Sequence, residues 1–131
     1  MIKIVWTNGC FDVLHRGHVE MLKYAKSIGD YVIVGIDSDE KVALDKGPAR
    51  PYNNVADRKF MLKSLKYVDE VVVFNAAKQL DLIIKSISPQ IMVIGSDWRG
   101  KEVIGSQHCK ELVFFDRIGE YSTTDILESK K

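Results

Sequence analysis

His15 and His18 stand three residues apart with Gly17 between them, and Thr7-Asn8-Gly9-Cys10-Phe11-Asp12 runs just before them. At that spacing two imidazoles lie on one side of a helical first turn and can donate hydrogen bonds to the oxygens of one phosphate. The backbone N–H groups of a helix start have no intrahelical partner and the macrodipole there is positive, so an anion is stabilised before any side chain acts. Gly9 lets the backbone approach closely, and Gly17 leaves room at the helix entrance. Zinc binding and simple helix capping compete with this reading. A structural zinc site normally takes four ligands, and besides the pair the sequence offers only Cys10, Cys109 and His108.

Three further clusters carry residues of matching chemistry. Lys46-Gly47-Pro48-Ala49-Arg50-Pro51-Tyr52 puts two cations in a loop punctuated by glycine and proline, and Arg58 follows early in the next helix. Gly95-Ser96-Asp97-Trp98 is the third. Arg117 with Gly119-Glu120-Tyr121-Ser122-Thr123-Thr124 is the fourth, where Ser122 and Thr123 can cap a helix and offer hydroxyls and N–H groups to a second phosphate. Taken one at a time, each has an ordinary reading: solvated lysine and arginine, a turn with a surface aromatic, a plain cap. Their joint occurrence at strand ends is what separate ordinary readings do not predict.

The elements that must position these clusters follow from hydrophobic periodicity. Ile2–Trp6 reads as a short buried strand, and Val19, Leu22, Ala25 and Ile28 as one face of a helix. Gly29-Asp30 closes that helix before a second strand at Tyr31–Ile36, so the unit is β-α-β, with parallel strands and a right-handed crossover. Asp37-Ser38-Asp39 offers a cap for a short helix at Glu40–Leu44. Asn54 caps the next, with Val55, Phe60, Met61, Leu62, Leu65 and Val68 expected on its apolar face and Asp57, Arg58, Lys59 and Lys63 on its polar face. Val71–Phe74 is the third strand. A helix marked by Leu80, Ile83, Ile84 and Ile87 ends before Pro89. Ile91–Ile94 and Leu112–Phe115 are the fourth and fifth strands, and Asp125–Glu128 opens a terminal helix. Five short apolar strands alternating with helices predict an α/β fold, a Rossmann-like doubly wound five-stranded parallel sheet. Ligands of such sheets bind outside the carboxyl ends of the strands, where the strand order reverses. All four clusters fall at that edge.

At 131 residues the chain is expected to form one domain, spanning 1–131, large enough to bury a core. A formal net charge of +1 advertises neither nucleic acid nor an anionic membrane. Two cysteines make no disulfide framework and fit a reducing compartment. No stretch reaches the roughly 18 apolar residues of a membrane span, and the start shows no signal-peptide pattern, so a cytoplasmic protein is expected.

Gly9-Cys10-Phe11-Asp12-Val13-Leu14-His15-Arg16-Gly17-His18 resembles the first motif of the nucleotidyltransferase superfamily, which includes cytidylyltransferases and the adenylyltransferases of heptose and pantetheine phosphates. Lys46 to Pro51 with Asp57-Arg58 is similar to heptose 1-phosphate adenylyltransferases, the nucleotide-transfer half of ADP-heptose synthase. Gly95 to Lys101 and Tyr67 to Val71 look more like glycerol-3-phosphate cytidylyltransferase. Arg117 and Tyr121-Ser122-Thr123-Thr124 fit the closing motif of both. The resemblance implies that His15, His18, Lys46 and Arg117 are catalytic. It implies that Thr7, Asn8, Gly9, Cys10, Phe11, Gly17, Asp97, Trp98, Ser122, Thr123 and Thr124 bind the nucleotide, and that Asp12, Lys46, Arg50 and Arg58 serve the acceptor. Asp12 would alternatively fix the loop or help hold a divalent cation. Cys10 stands where many cytidylyltransferases carry threonine, so no hydroxyl contact is expected there. The implied reaction joins a nucleoside monophosphate from CTP or ATP to a phosphorylated sugar or polyol. Mg2+ bridges the phosphates, without a metal site built by protein alone, and a homodimer is expected. A nucleotide-binding or sensing module without transfer activity is the alternative.

Overall fold

The computed structural model describes residues 1–116, and Arg117, Ser122, Thr123, Thr124 and the expected terminal helix lie outside the described residues. Five strands form one parallel sheet in the order β3-β2-β1-β4-β5: β1 is Ile4–Gly9, β2 Tyr31–Asp37, β3 Glu70–Phe74, β4 Ile91–Gly95 and β5 Glu111–Phe115. Four helices connect them, α1 at Arg16–Ser27, α2 at Asp39–Lys46, α3 at Val55–Lys63 and α4 at Ala77–Ile87, and 3-10 turns occupy Ser96–Trp98 and Ser106–His108. The doubly wound Rossmann-like arrangement is therefore observed.

Side-chain alternation along β1 divides the core. Val5 belongs to one cluster, with Leu22 and Ala25 of α1 and Leu62 of α3, while Trp6 belongs to the other, with Leu80 and Ile84 of α4. Helices thus cover both faces of the sheet, and its strands are buried on each side, which explains their nearly continuous apolar runs.

Three expectations on element boundaries and faces need correction. The first strand runs Ile4–Gly9 and not Ile2–Trp6, because Thr7, Asn8 and Gly9 continue the ladder opposite Val34, Gly35 and Ile36. Ladder bonds use backbone groups and are indifferent to side-chain polarity, whereas Ile2 is exposed. Helix α1 starts at Arg16, three residues earlier than the apolar pattern, since its start is set by the capping of His15. In α3 two positions are reversed: Arg58 is buried and Phe60 is 73% exposed. Val55, Arg58, Leu62 and Leu65 follow the helical spacing of one face, so Arg58 turns inward with the apolar residues.

The sheet is unevenly joined. β1 pairs with β2 over six residues but with β4 only at Val5–Ile91 and Trp6–Met92. Beyond Trp6 no ladder pair joins the two central strands, and Thr7, Asn8 and Gly9 lie at the carboxyl edge, where an open α/β sheet forms its binding cleft. Strand order reverses across this same pair, with β2 and β3 on one side and β5 on the other, which is where ligands of open α/β sheets bind.

Candidate active site

Helix α1 delivers the histidine pair to this cleft. His15 is its N-cap, and its Nδ1 accepts from the N–H of Gly17 at 3.1 Å. His18, three residues on, returns the favour: its Nδ1 accepts from the N–H of His15 at 3.3 Å, which completes a capping box made of two imidazoles. The rings stack with centroids 3.7 Å apart, and Phe11 packs against His18 at 4.9 Å.

These bonds refine the anion-binding expectation. The helix-start donors of His15 and Gly17 are spent on the imidazoles and are not left for a ligand. In exchange, each Nδ1 is occupied as an acceptor, so each ring carries its proton on Nε2. Burial, helped by the neighbouring His15 and by Lys46, pushes His18 down to about 3 from its ordinary 6.5, so at neutral pH it is an uncharged Nε2–H donor.

The loop before the helix is tightly held. Phe11 is 5% exposed and sits at φ 50°, the left-handed region that a bulky side chain adopts only under constraint. Asp12 is fully buried, and its carboxylate accepts from Arg50 Nε at 2.7 Å and from the N–H groups of Tyr52 and Asn53 at 2.8 and 2.9 Å. Asn53 Nδ2 donates back to the Asp12 carbonyl at 2.8 Å. Burial alone would raise the Asp12 pKa, but the N–H groups of Asn53 and Tyr52 and the Arg50 guanidinium outweigh it and hold the carboxyl below its ordinary value.

Arg58 works from the other side. Its Nε donates to the Asn53 carbonyl at 3.0 Å, Nη1 to the carbonyls of Cys10 and Asp37 at 3.0 and 2.8 Å, and Nη2 to Asp39 Oδ1 at 2.7 Å. One guanidinium thereby ties together the phosphate loop, the end of β2, the start of α2 and the loop before α3. Asp12 and Arg58 were expected to touch the acceptor. The structure gives both an internal task, because a buried charge must be paired and hydrogen-bonded, and protein groups do this for each. For Asp12 the alternative expectation, fixing the loop, describes what is seen. Arg50 is largely engaged by Asp12, and its Nη2 has no hydrogen-bond partner among the described residues.

Lys46, the last residue of α2, is exposed and near enough for its charge to act on both Cys10 and His18. Burial, only partly offset by Lys46 and Arg58, pushes the Cys10 thiol above its ordinary 9.0, so it stays protonated at neutral pH. Asp97 and Trp98 lie in the 3-10 turn directly after β4, both exposed, with Lys101 Nζ 5.7 Å from the Trp98 ring. Thr7 is fully buried, and its hydroxyl has no partner among the described residues. Among the described residues no group of three or more histidines, cysteines and carboxylates could hold a metal ion, and no helix is long and apolar enough to cross a membrane.

Sequence reasoning missed Asn53, Asp39 and Trp6. Asn53 precedes the Asn54 cap and carries no local signal of its contacts with Asp12 and Arg58, and Trp6 reads only as strand core. Asp39 could have been paired with Arg58 once Arg58 was placed on the inward stripe of α3.

Residues 6–129 match the family model described as cytidylyltransferase-like. The chain is 46% identical over 129 residues to the bifunctional protein HldE of Campylobacter concisus and 48% identical over 126 residues to that of Nitratiruptor. The alignments cover 98% and 96% of this chain but 27% of each relative, so the chain spans about a quarter of their length. A lipopolysaccharide core biosynthesis protein from Thermoplasma volcanium superposes with a TM-score of 0.68 at 25% identity, covering 93% of this chain and all of that one.

Proposed function

The chain belongs to the cytidylyltransferase-like family, and on that premise we propose that it transfers a nucleoside monophosphate from CTP or ATP to a phosphorylated sugar, releasing pyrophosphate. The observation that carries this reading is the pair of stacked imidazoles at the start of α1, each with its Nδ1 accepting from a backbone N–H, which places the ring proton on Nε2. ATP with heptose 1-phosphate is the first pair to test, in view of the HldE relatives and of the Lys46 to Pro51 segment. Glycerol 3-phosphate with CTP is the second.

In this reaction an oxygen of the acceptor phosphate attacks the α-phosphorus, a P–O bond forms, and the bond to the departing pyrophosphate breaks. The attacking oxygen is already ionised near pH 7, so no strong general base is required. The protein's work is in-line positioning and neutralisation of charge on the equatorial and leaving oxygens. The uncharged Nε2–H donor of His18 suits that work: it stabilises developing negative charge without giving up a proton. Lys46 supplies positive charge from the other wall. Arg117, Ser122, Thr123 and Thr124 complete the proposed phosphate site. Mg2+ carried by the phosphates would shield their charge and hold the triphosphate in one conformation. A homodimer is part of the proposal, and sedimentation equilibrium tests it.

The deciding experiment is a matrix of CTP and ATP against heptose 1-phosphate and glycerol 3-phosphate, read as pyrophosphate with and without EDTA. Magnesium-dependent release with one pair supports the proposal. Nucleotide binding without release from any pair would identify a binding module instead.

A further inference from the structure

Trp6 and Asn8 are two apart on β1 and so share the face of the sheet that packs α4. The Trp6 indole Nε1 donates to Asn8 Oδ1 at 2.8 Å. An indole nitrogen only donates, so the amide must offer it oxygen, and the Asn8 NH2 is turned to the other side. The indole that makes this choice is itself immobile: Trp6 is fully buried, and Gly35, the β2 partner of Asn8, leaves the space it fills. A Cβ at Gly35 would stand 2.5 Å from Trp6 Cζ2 and 3.3 Å from Asn8 Cβ. Asn8 lies beyond the last residue pair joining β1 to β4, at the cleft and only half-buried.

We propose that Asn8 determines substrate specificity by presenting its amide NH2 to a hydrogen-bond-accepting oxygen of a bound substrate, and that Trp6 is the positioning residue that fixes the amide's orientation. The inference rests on the nucleotidyl-transfer reading. Both substrates carry such oxygens, so the test separates them.

Asn8→Asp keeps an oxygen for the Trp6 N–H but replaces the outward NH2 with a second oxygen that repels acceptors. KM for the nucleotide and KM for the phosphorylated acceptor are measured separately in wild type, Asn8→Asp and Trp6→Phe. Asn8→Asp should raise one KM about tenfold or more, the scale of one lost hydrogen bond to a charged group, and leave the other within about twofold. Its urea midpoint should stay unchanged. Trp6→Phe should raise the same KM, because its amide is free to rotate. Which KM responds identifies the source of the oxygen. Both KM values unchanged in Asn8→Asp, or that KM unchanged in a folded Trp6→Phe, would overturn the proposal. If Trp6→Phe does not fold, the wild-type Asn8 NH2 resonances decide. They shift on addition of the substrate whose KM responds, or the proposal fails. Should wild type bind ATP or CTP without turnover, the transfer reading fails alone, and calorimetric Kd values for that nucleotide replace KM. Neither binding nor turnover overturns both.

Discussion

Burying His18 beside His15 makes it a neutral donor, and that has both a catalytic and a thermodynamic consequence. On the proposed function, His18→Ala removes one preorganised donor to the transferring phosphate and should lower turnover by about a hundredfold with the fold retained, measured as pyrophosphate release. The thermodynamic consequence has a definite sign. The folded protein holds His18 at about 3, against 6.5 for an unburied imidazole, so between those pH values the unfolded chain binds a proton that the folded one does not. The stability that comes from keeping His18 neutral is fully present above about pH 6.5 and is lost as pH falls toward 3. Asp12, whose pKa is lowered, acts in the same direction over the carboxylate range. The urea midpoint of wild type should therefore fall on acidification from pH 7 to 4, and that of His18→Ala should fall less. Equal losses in the two proteins would contradict the assignment.

Between elements, Arg58 does for the loops what hydrophobic contact does for the sheet. Arg58→Ala leaves the carbonyls of Cys10, Asp37 and Asn53 and the Asp39 carboxylate without their donor, and should cost about 3 kcal/mol or more in urea denaturation. Gly35→Ala drives a methyl into the fully buried Trp6 and should cost about 1–3 kcal/mol by the same measurement. The helices themselves were legible: Ser38 and Asn54 cap α2 and α3 as their positions suggest. What was not legible was the fate of the charged residues between them. Arg58 could have been placed from the stripe it shares with Val55 and Leu62. The bonds from Asp12 to Arg50, Tyr52 and Asn53 span some forty positions and leave no local pattern, so this buried clasp could not be read from the sequence.

Across the whole molecule, alternating apolar runs sufficed for the parallel sheet and for helices on both its faces, because a strand covered on two sides has little choice of residues. They could not give the lengths of the ladders, which depend on backbone pairing and not on side-chain type. Six residue pairs join β1 to β2, five join β2 to β3, five join β4 to β5, and two join β1 to β4. That short central ladder does more than open a cleft: it marks where the protein should come apart first. Native-state hydrogen exchange in low urea should show β4 and β5 opening together, at lower free energy than the amides of Val32 to Val34 in β2. One shared opening energy for both halves would show a single cooperative unit. Two energies would mean that the proposed substrates bind along a folding boundary, so that filling the cleft slows the opening of the β4–β5 half.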